Sequence, residues 1–512
     1  MLIKTYGSTI HGIDAITITI EVNIDKGINF LLVGLPDSAV KESQQRIDAA
    51  LKNNGYKIPG KKIVINMAPA DIRKEGSAYD LPLAIGILAA SSQIKSDMVG
   101  DYVIMGELSL DGSLQPIKGA LPMAIETRNK GFKGLMLPKE NAVEAAIVDK
   151  IDVLGISTIT EAIQFFNGEK TIDPLVINTK DEFFSSLNNY QFDFEDVKGQ
   201  ENIKRALEIA AAGNHNAIMV GPPGAGKTML AKRIPSILPP LNLYEALETT
   251  KIHSVSGKLG KREALKSVRP YISPHHTISD VALVGGGQYP QPGAISLAHN
   301  GVLFLDELPE FKRTVLEVLR QPLEDRMVTI SRAKFTVDYP ASFMLIAAMN
   351  PCPCGYYNHP TKECVCSVAD IKKYWNKISG PLLDRIDIHM EVVPVPFSEL
   401  TKLKKAESSK TVRNRVVKAR GIQEKRYSQN KGMYNNAQMT TRQIREICQI
   451  DQAGRTLLKN AIEKLGLSAR AYDRILKVSR TIADLEGETN ILPEHLAEAI
   501  QYRTLDRESW GG

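Results

Sequence analysis

The chain has 512 residues, of which 43% are hydrophobic and 24% charged, and its formal net charge is +6 at pH 7. This is ordinary composition for a globular protein of about three domains. The sequence has no apolar run of about 18 residues and no signal-peptide core near its start, which argues against membrane-spanning and secreted proteins. Four of the five cysteines are clustered, which favours a reducing compartment, so we expect a cytoplasmic protein.

The first region, residues 1–170, combines strand-like alternation with short helices. The stretches that we predict as strands are 16–22, 30–36, 62–66 and 106–112, the last one ending in a hairpin turn. An amphipathic helix is expected over 38–53. The polar residues 171–192 then predict a linker to the next domain.

Residues 194–211 open the next domain with apolar side chains at helical spacing. A segment in this position, just before a phosphate loop, often supplies an adenine pocket. We take the backbone near Val197 and Gly199 as the candidate for that role. A plain packing helix is the alternative.

A glycine-rich stretch follows the buried apolar strand 217–220 and precedes a helix that 229–233 open. It matches the phosphate-binding pattern G-x-x-x-x-G-K-[ST] at every fixed position. Backbone N–H groups would face nucleotide phosphates, Lys227 would reach the β- and γ-phosphates, and Thr228 would bind Mg²⁺. The alternative is a glycine turn that binds nothing. The predicted contact residues are Gly221, Pro222, Pro223, Gly224, Ala225, Gly226, Lys227 and Thr228.

Two inserts follow the phosphate loop. Residues 274–299 contain three consecutive glycines, which indicates a mobile loop, and we interpret the histidines at 275–276 as turn or pore contacts rather than metal ligands. Residues 328–337 predict a hairpin with Arg332 and Lys334 near its tip. In ring motors that this sequence resembles, a hairpin at this position contacts the nucleic-acid backbone, which basic side chains bind without reading sequence. A solvated charged turn is the alternative.

Two further apolar stretches end in polar side chains that suit nucleotide hydrolysis. Residues 302–305 end in Asp306 and Glu307, and residues 343–349 end in Asn350. The carboxyl ends of parallel strands meet at one sheet edge, where ligands bind. Asp306 would bind Mg²⁺, Glu307 would polarise the attacking water, and Asn350 would orient that water or contact the γ-phosphate. The alternatives are a surface carboxylate pair and an asparagine in a strand-end turn.

The clustered cysteines are Cys352, Cys354, Cys364 and Cys366. Four thiolates complete a tetrahedral Zn²⁺ site, and the metal would hold a loop that lacks a core of its own. The C-x-C spacing is tighter than the usual C-x₂-C, so reduced thiols or a redox-labile loop are the alternative. Cys448 stands apart on an apolar helix, and we predict that it is a core residue.

Arg385 lies among apolar residues with Asp384 and Asp387 beside it, which is unusual for solvated surface. An arginine finger contributes about 10³ to 10⁵ in rate by neutralising charge in the transition state. Because Arg385 comes late in the domain, we expect it to reach the site of a neighbouring subunit. The alternative is a local ion pair with Asp384 or Asp387.

The sequence becomes helical from about residue 397 onward. Residues 401–431 carry 11 Lys or Arg against 2 Glu, so DNA phosphates are the expected partner, with a solvated helix face as the alternative. The closely spaced cations are Lys402, Lys404, Lys405, Lys410, Arg413, Arg415, Lys418 and Arg420. Residues 440–505 keep helical apolar periodicity.

The first region resembles the Lon-protease-like (ribosomal-S5-type) domain. The segments that carry this resemblance are 73–82 and 106–124. Lon proteases use a Ser nucleophile beside a Lys base. In an ungapped comparison these positions fall on Ala78 and Leu121, while Ser77 and Lys118 are out of register. We therefore expect a scaffold or interaction role rather than proteolysis.

The later motifs occur in the order found in AAA+ ATPases: phosphate loop, Asp-Glu strand, Asn strand and Leu-Leu-Asp-Arg at 382–385. The run over 274–311 resembles the magnesium-chelatase-like branch. Combined with the Lon-like first region, the sequence resembles the ComM/YifB family over nearly its whole length. This resemblance implies a hexameric bacterial DNA motor with branch-migration helicase activity, linked to recombination during natural transformation.

The same resemblance implies a lid helix that begins near Ser468. Arg470 matches the second sensor arginine of AAA+ proteins, which would contact the γ-phosphate. Arg474 is the fallback for this role, and a surface ion pair is the alternative.

We therefore predict an α/β protein in four segments. They are a Lon-protease-like α+β domain without a catalytic dyad (1–170), a linker (171–192), an AAA+ P-loop core with a parallel sheet (193–396) and a helical lid (397–512). We expect an Mg²⁺-dependent ATPase that moves DNA. The rivals are a chaperone that remodels a metal-chelatase-like complex and a nucleotide-gated scaffold, and an intact Glu307 and Arg385 argue against the latter.

Overall fold

The computed structural model of the protein describes residues 2–503 apart from 180–182, 184–189, 261–262, 288–289, 333–334, 397–405 and 431. The chain divides into two compact units. The first comprises Met1–Leu187 and Leu243–Ser267, and the second comprises Asn188–Asn242 and Val268–Gly512. Among the helices in these described ranges, none combines the length and the apolar character needed to cross a membrane.

The first unit is built on a mixed sheet of seven strands. The strands of this unit are β1 (Leu2–His11), β2 (Asp14–Asp25), β3 (Asn29–Val33), β4 (Lys62–Ala68), β5 (Tyr102–Ile104), β6 (Glu107–Leu108), β7 (Leu114–Gln115), β8 (Gly134–Pro138) and β9 (Asp152–Ile156). The sheet order is β3-β4-β2-β1-β5-β8-β9, and β6 and β7 form a separate short hairpin. The pairs β1–β2 and β2–β4 are antiparallel, whereas β5, β8 and β9 run parallel to one another.

Alternation in the sequence explains one face of this sheet. In β2, Ile18, Ile20 and Val22 are fully buried, while the residues between them are half-buried. The helices of the unit are α1 (Ser38–Lys41), α2 (Ser43–Asn53), α3 (Asp80–Ala90), α4 (Ala120–Asn129), α5 (Lys139–Ala145) and α6 (Ile159–Asn167). Every residue of α3 is buried, and this helix packs on β1 and β2. The helix expected over 38–53 is present as α1 and α2, separated by Glu42.

One further helix of the first unit comes from far along the chain. We call Leu243–Val255 the insert helix, because it lies inside the span that the sequence assigns to the ATPase core. It packs against α4, and Ser254 donates through its hydroxyl to Glu144. Lys251 Nζ also lies 2.7 Å from Asp14 Oδ1. The insert helix is therefore part of the packing of the first unit.

The second unit is centred on a parallel sheet of five strands. The strands of this unit are β10 (Ala217–Val220), β11 (Tyr271–Ile272), β12 (Gly285–Gly286), β13 (Gln291–Pro292), β14 (Val302–Leu305), β15 (Met327–Arg332), β16 (Phe335–Pro340), β17 (Met344–Met349) and β18 (Ile388–Glu391). The order in the central sheet is β11-β14-β17-β10-β18, and all neighbours are parallel. Continuous apolar runs make β10, β14 and β17 fully buried, as a parallel sheet covered on both faces requires. The predicted parallel α/β core is confirmed.

Helices surround this sheet and continue to the end of the described chain. They are α7 (Glu201–Gly213), α8 (Lys227–Arg233), α9 (Asp280–Val284), α10 (Ala294–Leu297), α11 (Arg313–Glu317), α12 (Arg320–Asp325), α13 (Val368–Trp375), α14 (Gly380–Leu383), α15 (Ser409–Arg426), α16 (Thr441–Ile447), α17 (Gln452–Leu465), α18 (Ala469–Glu486) and α19 (Pro493–Gln501). One hydrophobic core contains Met219 of β10, Ile209 of α7, Val416 of α15 and Ile475 of α18. The C-terminal helices thus pack in the same compact unit as the sheet.

Candidate functional site

The predicted phosphate loop, the glycine-rich residues 221–228, lies between β10 and α8, at the carboxyl edge of the parallel sheet. Gly224 and Gly226 have φ of 79° and 87°, a left-handed conformation that favours glycine. At Gly221 a Cβ atom would lie 2.2 Å from the carbonyl oxygen of Val392. These three glycines are therefore required by the backbone path of the loop, which leaves its N–H groups near the start of α8.

Lys227 is the charged side chain of this loop, and it is largely buried, with 9% of its surface exposed. Its Nζ donates to the carbonyl oxygens of Gly221 (2.6 Å) and Pro222 (3.0 Å) and to Asn350 Oδ1 (3.1 Å). Burial lowers the pKa of Lys227 below its ordinary value, although Asp306 and Glu307 oppose that shift. The ammonium group thus donates its hydrogen bonds to neutral acceptors, while the carboxylates of Asp306 and Glu307 attract it electrostatically without a direct contact.

Thr228 and Asp306 meet across two adjacent segments of the same edge. Thr228 Oγ1 donates to Asp306 Oδ2 at 2.7 Å, and the backbone N–H of Glu307 donates to Asp306 Oδ1 at 3.0 Å. Asp306 follows β14 directly, and β14 is parallel to β17, whose end carries Asn350. The structure therefore places Lys227, Thr228, Asp306 and Asn350 close together, and their roles toward a nucleotide stay predictions.

Glu307 has a contact that sequence reasoning missed. Its backbone is left-handed, with φ of 53°, and its Oε2 lies 3.3 Å from His276 Nδ1. The ring of His276 lies 4.1 Å from that of His275 and 6.4 Å from that of Phe311, measured between centroids. Of the two histidines interpreted as turn or pore contacts, His275 makes a turn contact, with Nδ1 2.9 Å from Thr277 Oγ1. His276 instead contacts Glu307, the carboxylate predicted to polarise water.

The segment before α7 is anchored to the phosphate loop by a residue that the sequence analysis did not single out. Gln200 donates through Nε2 to the carbonyl oxygens of Ala225 (2.9 Å) and Val393 (3.2 Å). Val197 is fully buried and Gly199 has φ of 64°, so the backbone turns sharply here. The predicted adenine-contacting segment consequently lies beside the loop, and its role stays a prediction.

The three candidate arginines have partners within the chain. Arg385 is 5% exposed, and it donates to the carbonyl oxygen of Pro381 (2.6 Å) and pairs with Glu324 (2.5 Å). The ion pair considered in the sequence analysis involved Asp384 or Asp387, whereas the structure gives Glu324, a residue on α12. The finger role of Arg385 in a neighbouring subunit stays a prediction.

Both lid arginines lie on α18. The Nη1 of Arg470 lies 3.8 Å from Asp384 Oδ2 and its side chain is 58% exposed. Arg474 lies 3.0 Å from the fully buried Asp387, which also accepts from His215. Arg474 and His215 hold the pKa of Asp387 well below its ordinary range despite its burial. Arg470 is thus the more exposed of the two, and its role as a sensor stays a prediction.

The basic stretch divides into two groups. Arg415 pairs with Glu208 and Glu407, Arg420 donates to carbonyl oxygens of α7, and Arg426 pairs with Asp484, so these three arginines bind α15 to its neighbours. Lys410 and Lys418 are exposed on α15. The remaining lysines of the prediction, Lys402, Lys404 and Lys405, lie outside the described residues. Part of the basic excess therefore has a packing function.

The predicted hairpin is formed by β15 and β16, with register from Met327↔Pro340 to Arg332↔Phe335. Lys334 and the side chain of Arg332 lie outside the described part of the chain.

The four clustered thiols are brought together: the Sγ atoms of Cys352, Cys354, Cys364 and Cys366 all lie within 4.8 Å of one another. Cys448 is buried, as predicted for a core residue.

In the first unit, Ala78 and Leu121, the residues that align with the Lon dyad, make backbone hydrogen bonds within the fold. The carbonyl oxygen of Ala78 accepts from the N–H of Gly106 at 2.8 Å. The N–H of the fully buried Leu121 donates to Glu144 Oε1 at 2.8 Å. Ser77 donates to Glu107. Leu121 is apolar and buried, so this position offers no base.

A parallel sheet with a G-x-x-x-x-G-K-[ST] loop, a Thr–Asp pair and an Asn at its carboxyl edge defines a P-loop ATPase of the AAA+ type. Three family profiles match the chain: "Subunit ChlI of Mg-chelatase" over residues 20–141, "Magnesium chelatase, subunit ChlI" over 193–400, and "Magnesium chelatase, subunit ChlI C-terminal" over 406–503.

Two curated relatives show to which family of magnesium-chelatase-like proteins the chain belongs. Competence protein ComM of Haemophilus influenzae is 44% identical over 98% of this chain and 97% of its own length. YifB of Escherichia coli is 44% identical over 97% of this chain and 96% of its own length. The chain belongs to the ComM/YifB family of magnesium-chelatase-like proteins, as the sequence analysis predicted. A partial similarity to Lon protease 2 of Bacillus subtilis, 28% identical over 181 residues, covers 31% of this chain and 33% of that protein.

Proposed function

We propose that this protein is a cytoplasmic, Mg²⁺-dependent ATPase that works as a ring motor on DNA, as a branch-migration helicase in recombination or natural transformation. The observation that carries the proposal is the meeting of Lys227, Thr228, Asp306 and Asn350 at one sheet edge. These are the residue types that bind, neutralise and orient a nucleotide triphosphate. Their separation along the chain makes a chance grouping a poor explanation.

The residues present fit ATP with Mg²⁺. Thr228 Oγ1 and Asp306 Oδ2 offer two hard oxygen donors 2.7 Å apart, as Mg²⁺ prefers. Bound Mg²⁺ supplies charge neutralisation at the β- and γ-phosphate oxygens. Lys227 would exchange its carbonyl acceptors for phosphate oxygens, which are stronger acceptors because they are charged. Glu307 would hold and polarise a water, and Asn350 would orient it.

We further propose a homo-oligomeric ring, hexameric by family resemblance, in which Arg385 serves the site of the next subunit. In this chain Arg385 is paired with Glu324, so that role requires the pair to open. Mixing Arg385→Ala subunits with Lys227→Ala subunits tests the geometry, because each variant lacks a different half of a shared site. We expect partial recovery of ATP hydrolysis, and no recovery at any mixing ratio would contradict a finger acting in trans.

DNA is the proposed partner for two reasons. A close relative is named a competence protein, and Lys410 and Lys418 are exposed on α15, where they can contact a phosphate backbone. Arg332 and Lys334 are the proposed hairpin contacts. Binding through phosphates should weaken steeply with salt, and a flat salt response would remove the basic stretch from the proposal.

The deciding experiment is an ATPase assay with no DNA and with single-stranded, forked and four-way DNA. We expect stimulation, strongest with the four-way junction if branch migration is the work output. The second candidate, a chaperone that remodels a metal-chelatase-like complex, is favoured by the three magnesium-chelatase profiles that match the chain. Turnover that ignores every DNA form would favour this candidate instead.

A further inference from the structure

The loop after β17 carries four thiols in a closed cluster. Cys352 Sγ lies 3.3 Å from Cys354 Sγ and 3.7 Å from Cys364 Sγ, and Cys354 Sγ lies 3.6 Å from Cys364 Sγ. All five cysteines are free thiols, and a disulfide would need about 2.05 Å between the sulfurs. Four sulfurs tetrahedrally arranged at about 2.3 Å from a Zn²⁺ ion lie about 3.8 Å apart. The cluster therefore has the dimensions of a metal site.

Backbone hydrogen bonds already support the sulfurs. The N–H of Cys354 donates to Cys366 Sγ at 3.4 Å, and the N–H of Tyr357 donates to Cys352 Sγ at 3.3 Å. Such N–H···S contacts orient the ligands of a thiolate site and offset part of its negative charge. No helix or strand occurs between β17 and α13, where every residue is described, so the segment lacks regular hydrogen bonding of its own. A metal is the natural way to fix such a segment.

The segment 350–367, which we call the thiol loop, contacts the phosphate loop, residues 221–228. Gly355 has φ of 85°, and a Cβ atom there would lie 2.6 Å from Cδ of Pro223, a residue of the phosphate loop. Asn350, whose Oδ1 accepts from Lys227, comes two residues before the first cysteine. At the same end of the loop, Trp375 Nε1 donates to the carbonyl oxygen of Pro351 at 3.0 Å. The position of the thiol loop thus affects both Pro223 and Asn350.

We propose that Cys352, Cys354, Cys364 and Cys366 bind one structural Zn²⁺ ion, and that the metal-closed loop braces the phosphate loop through the Gly355–Pro223 contact. The metal site itself stands on the thiol geometry alone. The bracing rests on the proposed nucleotide role of the phosphate loop. Loss of zinc would then loosen Pro223 and Asn350 and weaken nucleotide binding at a distance from the metal.

The metal is tested by zinc analysis of the purified full-length protein. We expect about one Zn²⁺ per chain in the wild type and in Cys448→Ala, and almost none in the double variant Cys364→Ser/Cys366→Ser. If the double variant is insoluble, zinc released from the wild type during titration with a thiol-specific mercurial gives the same count. Wild-type protein that holds no zinc and gains none from added Zn²⁺ would overturn the site.

The bracing is tested with a variant that keeps every thiol. Gly355→Ala forces a Cβ atom against Pro223, whereas the matched control Gly487→Ala has a similar φ of 79° and no atom within 4 Å of its Cβ position. We expect Gly355→Ala to retain zinc and to bind a fluorescent ADP analogue about tenfold more weakly. The control should bind like the wild type.

The possible failures are distinguishable. Zinc retained with unchanged ADP affinity in Gly355→Ala would overturn the bracing and leave the metal site intact. If instead Lys227→Ala binds the ADP analogue as well as the wild type, the proposed nucleotide site fails while the zinc count still decides the metal site.

Discussion

Two buried charged side chains, one in each unit, have opposite surroundings. In the first unit, Asp80 is fully buried and accepts from Arg46 through both oxygens, at 2.7 and 2.9 Å, and from the N–H of Leu108 at 3.3 Å. In the second unit, Lys227 is almost as enclosed, but its acceptors are two carbonyl oxygens and an amide oxygen. Asp80 is thus neutralised by a counter-ion in direct contact, and Lys227 is not.

The difference separates a structural charge from a binding charge. Burial raises the pKa of Asp80, and the hydrogen bonds from Arg46 oppose that shift. Because Arg46 occupies both carboxylate oxygens, Asp80 has its counter-ion within the fold. A buried ammonium with only neutral acceptors is poorly stabilised, and an incoming anion supplies what it lacks. Lys227 therefore has no counter-ion in direct contact and can bind an anion, whereas Asp80 is already paired with Arg46.

Substitution of the binding charge should give the largest effect. We expect Lys227→Ala to weaken ATP and ADP binding at least about a hundredfold, because a buried charge-assisted contact to phosphate is removed. Thermal stability should fall less than in Arg46→Ala, since hydrogen bonds to neutral acceptors are lost but no buried charge is left without its counter-ion. Fluorescent-nucleotide titration measures the affinity, and the exposed Lys232→Ala on the same helix is the control. Equal affinities in the two variants would contradict the assignment of Lys227.

Substitution at the structural pair should affect folding instead. Arg46→Ala leaves a carboxylate buried without its counter-ion, which costs about 3 kcal/mol or more. We expect reduced hydrogen-exchange protection of α3, where Asp80 lies, with nucleotide affinity of the second unit unchanged. Lys52→Ala removes an exposed pair with Asp48 and should cost below about 0.5 kcal/mol. Unchanged protection of α3 in Arg46→Ala would show that the pair is not needed for stability.

Much of the second unit was predictable because its signals are local. Continuous apolar runs predicted the buried strands β10, β14 and β17, and the glycine motif predicted the loop between β10 and α8. Since parallel strands share one carboxyl edge, the polar residues that follow them had to lie close together. The grouping of Asp306 and Asn350 with Lys227 follows from that rule.

Contacts between side chains far apart in sequence were not predictable. Arg385 has two aspartates beside it, yet it pairs with Glu324 of α12, which lies far earlier in the chain. The insert helix has no sequence signal that assigns it to the first unit. Gln200 reaches the phosphate loop from a left-handed backbone position that composition does not reveal. Such contacts depend on tertiary packing, which local patterns do not encode.

The contact between His276 and Glu307 offers a finer test within the second unit. His276 pairs with the Glu307 carboxylate, which we propose polarises the attacking water. His276→Ala should free this carboxylate for the water and so raise basal ATP hydrolysis. The pair is partly exposed, so we expect a rise of about two- to fivefold. His275→Ala is the control for loss of the ring contact between the two histidines, because its Nδ1 contacts Thr277 and the substitution leaves the His276–Glu307 pair in place. A fall in turnover in His276→Ala would mean that the histidine orients Glu307 productively.

The smallest expected effect returns to the first unit and to a carboxyl group that, unlike Asp80, gains little from a neighbouring cation. Burial raises the pKa of Glu75 from 4.5 to about 7, with Asp37 adding to the shift and Arg73 opposing it. Between pH 4.5 and 7 the unfolded chain loses this proton while the folded chain keeps it. The stability of the first unit therefore falls as pH rises through this range, and the deficit persists above it.

Glu75→Gln removes the titrating group, so the variant should match the wild type near pH 4.5 and be more stable at pH 8. Because Glu75 is partly exposed to solvent, we expect hydrogen-exchange protection of α3 to rise only about two- to fivefold at pH 8. Comparison of variant and wild type at the same pH cancels the intrinsic exchange rate, and the exposed Glu42→Gln should show no such trend. A gain that is equal at both pH values would mean that the amide packs better for reasons unrelated to charge. A loss of protection at pH 8 would show that the ionised carboxylate is stabilised by Arg73, which would make Glu75 a second paired charge like Asp80.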